Sequence, residues 1–432
     1  MSTVNHGLDR VRATFDDDSL VADAGLILVA TLVARLGLES LIDTTVRLVG
    51  RVGGARPGRK VLTLVHGMLA DADCIDDTNR LRAGSTGEVL GHRVMAPSTL
   101  GTFLRAFTFG HVRQLEAVVG HSIERAWGLG AGPTGTLIVD VDSTICEVHG
   151  YQKHGAAYGY TKVLGYHPLL ATRADTGEVL HARLRKGSAN TARGIVRFVD
   201  ELLARLGRCG GGEAIVLRAD SGFYQHKLLG RLSRAGVGFS VTIPQRAPVR
   251  AAIDAIDDSA WQRIDYPDGE AHLAECVYRG RRLIVRRVRN HHGPQGQLFP
   301  TWRYHAFVTN LAGPAWVLDQ QHRAHAVVEL SIRDLKAGPL AHLPSGSFHA
   351  NSAWLQCAVL AHNLLRWTAT LGGLRTDELI VAKTIRRRYL NVPGRLVNRS
   401  GRPTLRLPTR WPWAQPFETA LDALRALPPV PG

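Results

Sequence analysis

Two hydrophobic runs in this chain end on aspartates, and that pairing restricts the available folds more than any other feature. Thr136 to Val141 (TLIVDV) is β-branched and apolar enough for a buried central strand, and Asp142, Ser143 and Thr144 follow it. Ala214 to Ala219 is a second such run and ends on Asp220. Between them, Tyr166–Thr172 and Val179–Leu184 read as strands around the Asp175-Thr176-Gly177 turn, and Asn190–Leu206 as a helix. Helix Tyr224–Ala235 and strand Phe239–Ile243 come after Asp220. This alternation predicts an α/β domain. An ionised aspartate beside an apolar core is costly unless it is paired or coordinates a cation. Asp140 and Asp142 share a strand face at period two, so either could be the first ligand; Asp142, at the strand's end, is favoured.

A third carboxylate comes from Gln321–Lys336 (QHRAHAVVELSIRDLK). At helical spacing His322, His325, Glu329, Arg333 and Lys336 form one stripe, opposite Val327, Val328, Leu330, Ile332 and Leu335. Taken alone, Glu329 could be half of a surface ion pair with Arg333. Taken with Asp142 and Asp220, it completes three hard oxygen ligands from separate elements. Such a set suits Mg²⁺ or Mn²⁺ and leaves coordination positions for water and phosphate. Two ions about 3.5–4 Å apart would support in-line phosphodiester transfer.

The charge balance names a partner class. With 53 Lys+Arg against 37 Asp+Glu, the chain carries a formal +16, which suits a polyanion bound by phosphate neutralisation. At 432 residues several domains are expected. Residues 1–130 read as a helical N-terminal DNA-binding region, either a helix-turn-helix reader or a plain bundle. Residues 131–245 and 311–372 read as two parts of one catalytic core, separated by a β-rich insertion over 246–310. Asn351–Leu371 is apolar nearly all round and should be a buried helix, with Trp354 and Trp367 in the core. Trp302, near the end of the insertion, is the candidate for stacking on a flipped base. Residues 373–432 form a basic, loop-rich tail in which Arg386, Arg387 and Arg388 are candidate phosphate contacts. Five scattered cysteines show neither a disulfide framework nor zinc spacing. The first residues are polar and acidic rather than signal-like, and no apolar run approaches the ~20 residues of a membrane span. A cytoplasmic, nucleoid-associated location is expected.

These motifs carry a resemblance. Asp142-Ser143-Thr144 after a strand, the run Leu217 to Phe223 (LRADSGF), and Glu329-x6-Lys336 on a helix resemble the DDE transposases of bacterial insertion sequences. Those enzymes belong to the RNase H-like, retroviral-integrase superfamily. More narrowly, the chain looks like the group 1 kind, with a Tyr-x2-Arg-x3-Glu-x6-Lys motif and a β-rich insertion before the Glu. The stretches ADADCIDD (Ala70–Asp77), VHGYQKHG (Val148–Gly155), YHPLLA from Tyr166 and the LVNRSGR tail are also family-like, so the resemblance covers nearly the whole chain.

The resemblance implies an RNase H-like core, a mixed sheet flanked by helices. It makes Asp142, Asp220 and Glu329 the catalytic, metal-binding triad and gives Lys336 a DNA phosphate. Arg323 and Arg333 are further candidate DNA contacts, with His322 and His325. The last two depart from the motif, since His322 stands where it has Tyr and His325 where it has Arg, and neutral imidazole is the weaker phosphate partner. The implied activity is cut-and-paste transposition. A homodimer would bind the terminal inverted repeats in a synaptic complex, cleave the ends and join 3′-hydroxyls to target double-stranded DNA, with Mg²⁺ or Mn²⁺. A hairpin at the cut end is one route the family allows. The alternative class is a transposase-derived DNA-binding regulator, or a copy without strand transfer.

Overall fold

The computed structural model describes residues 11–150, 152–159, 161–267, 269–289, 301–374 and 380–430. Asp268 and the turn expected over His291–Gln297 lie outside them.

The two aspartate-bearing runs lie side by side in one nine-stranded sheet. In chain order its strands are β1 (Leu137–Ser143), β2 (Leu169–Arg173), β3 (Val179–Arg183), β4 (Ile215–Ala219) and β5 (Gly238–Thr242), then β6 (Gln262–Ile264), β7 (Ala271–Tyr278), β8 (Arg281–Arg289) and β9 (Trp302–Thr309). Their spatial order is β6-β7-β8-β9-β5-β4-β1-β2-β3. Strands β1, β4 and β5 are parallel neighbours, while β2 returns antiparallel to β1 and β3 antiparallel to β2. This mixed five-strand unit is the RNase H-like core. The run β6–β9 is the β-rich insertion, and it extends the core sheet because β9 pairs antiparallel with β5.

Strand β1 continues through both aspartates instead of stopping before Asp142. Thr136–Ser143 lacks glycine or proline after Gly135, so nothing in the sequence ends the strand at Val141. The helix expected from Asn190 begins at Ile195 instead. Gly194, with φ of 79°, takes the left-handed conformation that starts it, which leaves Asn190–Arg193 as a loop. The helix expected over Ala252–Trp261 lies earlier, at Ala247–Asp254, with Pro248 in its first turn.

Helix Phe348–Leu371 is buried over almost its whole length, as its all-round apolar pattern requires. One side lies against β3. There Asn363 donates to the Val179 carbonyl (2.8 Å) and accepts from its amide (2.7 Å), closing the exposed edge of the sheet. Its other sides are covered by Leu26–Arg35, Pro57–Leu69, Pro97–Arg105 and Phe109–Ala126. A single apolar cluster runs from Leu26 to Leu424, so the N-terminal helices share the catalytic core's interior.

The C-terminal region folds back rather than trailing as a tail. Gly394–Arg399 pairs with Leu20–Val21, and helix Ala414–Ala426 packs on Leu26–Arg35. Phe417, Ala420 and Leu424 are its buried stripe at helical spacing. Among the described residues, no helix is long and apolar enough to cross a membrane.

Candidate active site

The register puts the two aspartates at the same end of adjacent parallel strands. Val141 pairs with Ala219, so Asp142 and Asp220 are the next residues on neighbouring strands about 4.8 Å apart. Their surroundings differ sharply from those of Asp140. Asp140 is fully buried, and both its oxygens are taken by Arg218, at 2.6 Å from Nε and 2.7 Å from Nη2. His325 Nδ1 makes a third contact at 2.8 Å. Asp140 is therefore the anchored counter-ion of a buried arginine.

Asp142 and Asp220 each spend one oxygen on the local backbone. The Ser143 amide donates to Asp142 Oδ1 (2.6 Å), and the Gly222 amide donates to Asp220 Oδ1 (2.9 Å). Asp142 Oδ2 and both Glu329 oxygens have no hydrogen-bond partner among the described residues, while the Phe223 amide also lies close enough to the Asp220 carboxylate to lower its pKa. Burial pushes the Asp142 pKa up to about 6 against the Ser143 amide's pull, and the charges of Asp220 and Glu329 add to the rise. Burial also raises the Asp220 pKa, opposed by the Gly222 amide. His325 lies near enough to lower both. Three mutually repelling carboxylates are the environment a divalent cation relieves, and their hard donors fit Mg²⁺ or Mn²⁺. The residues fit the metal group that the sequence implies.

Glu329 is held in this cluster by the rest of its helix. The expected helix Gln321–Lys336 is broken: Ala315–Arg323 ends, a 3₁₀ turn covers Ala324–Ala326, and Val327–Lys336 starts afresh. Arg218 secures the break by donating to the carbonyls of Gln321 and Ala324, the latter at 3.1 Å. Beyond it, Val328, Ile332 and Leu335 are buried. Ser331 donates to the Gly177 carbonyl (3.0 Å), and Asp334 pairs with Arg366 of the long buried helix (2.5 Å). Glu329, Arg333 and Lys336 are left on the open face.

The break divides the remaining stripe. His322 is not on the open face: its ring stacks on Phe307 with centroids 4.2 Å apart. Its Nδ1 and Nε2 meet the hydroxyls of Ser240 (2.6 Å) and Thr242 (3.0 Å). Burial drives its pKa down to about 3, so it is a neutral packing residue, which removes it as a phosphate contact. His325 instead joins the site through Asp140. Arg323 pairs with Asp319 (3.0 Å) and lies over the Tyr266 ring. Arg386 is also internal: it is buried and pairs with Asp71 (2.9 Å). Arg387 is exposed, while Arg388 is half-buried over Trp413. Trp354 and Trp367 are buried in the core, and Trp302 is half-buried with Arg287 over its ring.

Two site elements went unread in the sequence. Arg218 is one, although its position two residues before Asp220 mirrors Asp140 before Asp142, a period-two signal on paired strands. The other is His167, whose Nε2 meets Ser143 Oγ at 2.8 Å and whose Nδ1 meets the Ala189 carbonyl at 2.8 Å. Among the described residues, Asp73, Cys74 and Asp77 bring ligand-type atoms within 4.8 Å of one another. There Asp77 accepts from the Asp73 and Cys74 amides, so that group closes its own turn.

Comparison with known proteins identifies the family and the fold. Residues 5–429 match the family model described as transposase DDE domain group 1. No curated protein matches the sequence. Among solved structures, the chain is similar to piggyBac transposase in a cryo-EM synaptic complex with hairpin DNA, at TM-score 0.52 and 10% identity. That alignment covers 85% of this chain and 79% of the other.

Proposed function

This chain belongs to the transposase DDE domain group 1 family, and from that premise we propose that it excises a mobile element at its terminal inverted repeats and joins the freed 3′-hydroxyls to target DNA. Its class of chemistry is metal-dependent DNA cleavage and strand transfer, and its substrate is DNA. The observation that carries the residue assignment is the contrast at β1. Asp140 is saturated by Arg218 and His325, whereas Asp142 and Glu329 keep free oxygens at the end of the sheet where Asp220 also stands.

Asp142, Asp220 and Glu329 would hold two Mg²⁺ ions, with Mn²⁺ able to substitute. Bound there, such ions would supply Lewis-acid activation of a water or 3′-hydroxyl and charge neutralisation at the leaving oxygen. The chain's own residues position the DNA. Lys336, seven residues and roughly 10.5 Å along the helix from Glu329, grips a phosphate beside the scissile bond. Arg333 lies between them on the same open face. Arg387 is a further exposed cation, as are Arg395, Arg402 and Arg406 on the antiparallel hairpin of Gly394–Arg399 and Arg402–Arg406. The N-terminal helices, sharing one core with the catalytic unit, read the repeats. Two ends imply a homodimer in the synaptic complex, acting at the nucleoid.

The test is an excision assay on a supercoiled plasmid carrying the DNA that flanks this coding sequence. Mg²⁺-dependent release of the intervening segment, followed by its joining to a second plasmid, is expected. Tight binding to the flanking DNA with no cut in either Mg²⁺ or Mn²⁺ would favour the regulator.

A further inference from the structure

A basic cavity of about 480 Å³ opens at the end of β3 and the start of helix Ile195–Arg208. Arg183, Arg185, Lys186, Arg193 and Arg197 line it, and no acidic residue does. Arg183 and Arg197 are partly neutralised by Glu201, which lies outside the lining. Arg185, Lys186 and Arg193 have no carboxylate partner among the described residues. Arg185 is held by carbonyls alone, those of His167, Asn190, Thr191 and Arg193, and its buried Nη2 has no partner. A guanidinium fixed by carbonyls, with no carboxylate to neutralise it, leaves its positive charge at the cavity wall.

The cavity is tied to the catalytic end of the sheet. Ser143 pairs with Leu169, and Leu169 pairs with Arg183, so β3 ends two strands, or roughly 10 Å, from Asp142. The loop 188–193 is fastened at both flanks of the triad. His167 bridges the Ala189 carbonyl to Ser143, and a Cβ at Gly222 would come 2.8 Å from Thr191 Cγ2.

We propose that this cavity binds a backbone phosphate of the DNA beside the reacting strand, with Lys186 and Arg193 as its exposed cations and Arg185 as its fixed floor. The proposal rests on the transposase reading, and its ligand has two sources: the element's own end or the target duplex.

The experiment compares wild type with the Lys186→Ala/Arg193→Ala double variant, an Arg193→Lys variant and Asp220→Asn. Each is assayed for binding to end duplexes, end cleavage and joining to a plasmid target over a salt series. Melting temperatures close to wild type establish that the surface variants fold. If the end is the source, the double variant loses end affinity at least tenfold, and its log K against log salt slope falls by roughly one per lost contact. If target DNA is the source, end binding and cleavage stay at wild-type levels and joining falls at least tenfold. Arg193→Lys keeps most of the affected step in either case. Unchanged binding, cleavage, joining and salt slope in the double variant overturn the proposal. Failure of the transposase reading itself is distinguishable, because wild type would then cut no better than Asp220→Asn.

Discussion

Arg218 and Asp140 face each other across the parallel pair β1–β4 and share two hydrogen bonds, of 2.6 and 2.7 Å, with both side chains almost wholly out of solvent. The bidentate pair occupies both Asp140 oxygens and leaves Asp142 as the β1 aspartate with an uncommitted one. It also ties the sheet to the helix break that precedes Glu329, because the same guanidinium reaches the Gln321 and Ala324 carbonyls.

Removing one partner should therefore be severe. Arg218→Met leaves Asp140 buried with only His325 beside it, and a loss of about 3–5 kcal/mol is expected. Urea denaturation measures this. The variant should also lose cleavage, since Glu329 is no longer held. An Arg218→Met protein with wild-type stability would contradict the anchoring role.

Asp142 should behave in the opposite sense. Its folded pKa, about 6, exceeds the ordinary 3.8, so between these values the native state holds a proton that the unfolded chain has released. Without metal, stability falls as pH rises through about 4 to 6. Asp142→Asn should stabilise the metal-free protein at pH 7.5 by on the order of 1–2 kcal/mol after screening, and by nothing near pH 3.5. Melting curves across this range check the sign. Mg²⁺ should raise the wild-type melting temperature at pH 7.5, less so below pH 6 as Asp142 takes up its proton, and have little effect on the variant.

His322 and Lys336 separate packing from DNA contact. His322→Ala removes a ring stacked on Phe307 and strands two hydroxyls, so a loss of about 2–4 kcal/mol is expected with the salt dependence of DNA binding unchanged. Lys336→Ala, on an open face, should keep its stability within about 0.5 kcal/mol and lower the salt slope by roughly one. Fluorescence anisotropy against salt, paired with denaturation, reads both.

Much of this arrangement is legible in the sequence. The hydrophobic runs located β1 and β4, and the amphipathic spacing placed Glu329, Arg333 and Lys336 on one face. The helix break was not legible, because Ala324–Ala326 has no glycine or proline. Tertiary hydrogen bonds from Arg218 hold its carbonyls instead of local sequence. The fate of His322 followed from that break. Arg386 was misread for a related reason. A basic run looks uniformly solvated in sequence, but a turn through Ala382–Leu390 buries one arginine against Asp71 and exposes the next. The fold-back of the C-terminal region depends on pairing between Leu20–Val21 and Gly394–Arg399, too far apart in sequence for periodicity to reveal.

The most direct measurement is cleavage and joining of labelled duplexes carrying the element's ends, in Mg²⁺, by wild type, Asp142→Asn, Asp220→Asn and Glu329→Gln. All three variants should still bind the ends, with cleavage reduced at least a thousandfold, roughly 4 kcal/mol of barrier. Robust cleavage by Asp142→Asn would contradict the triad and return Asp140 to the metal.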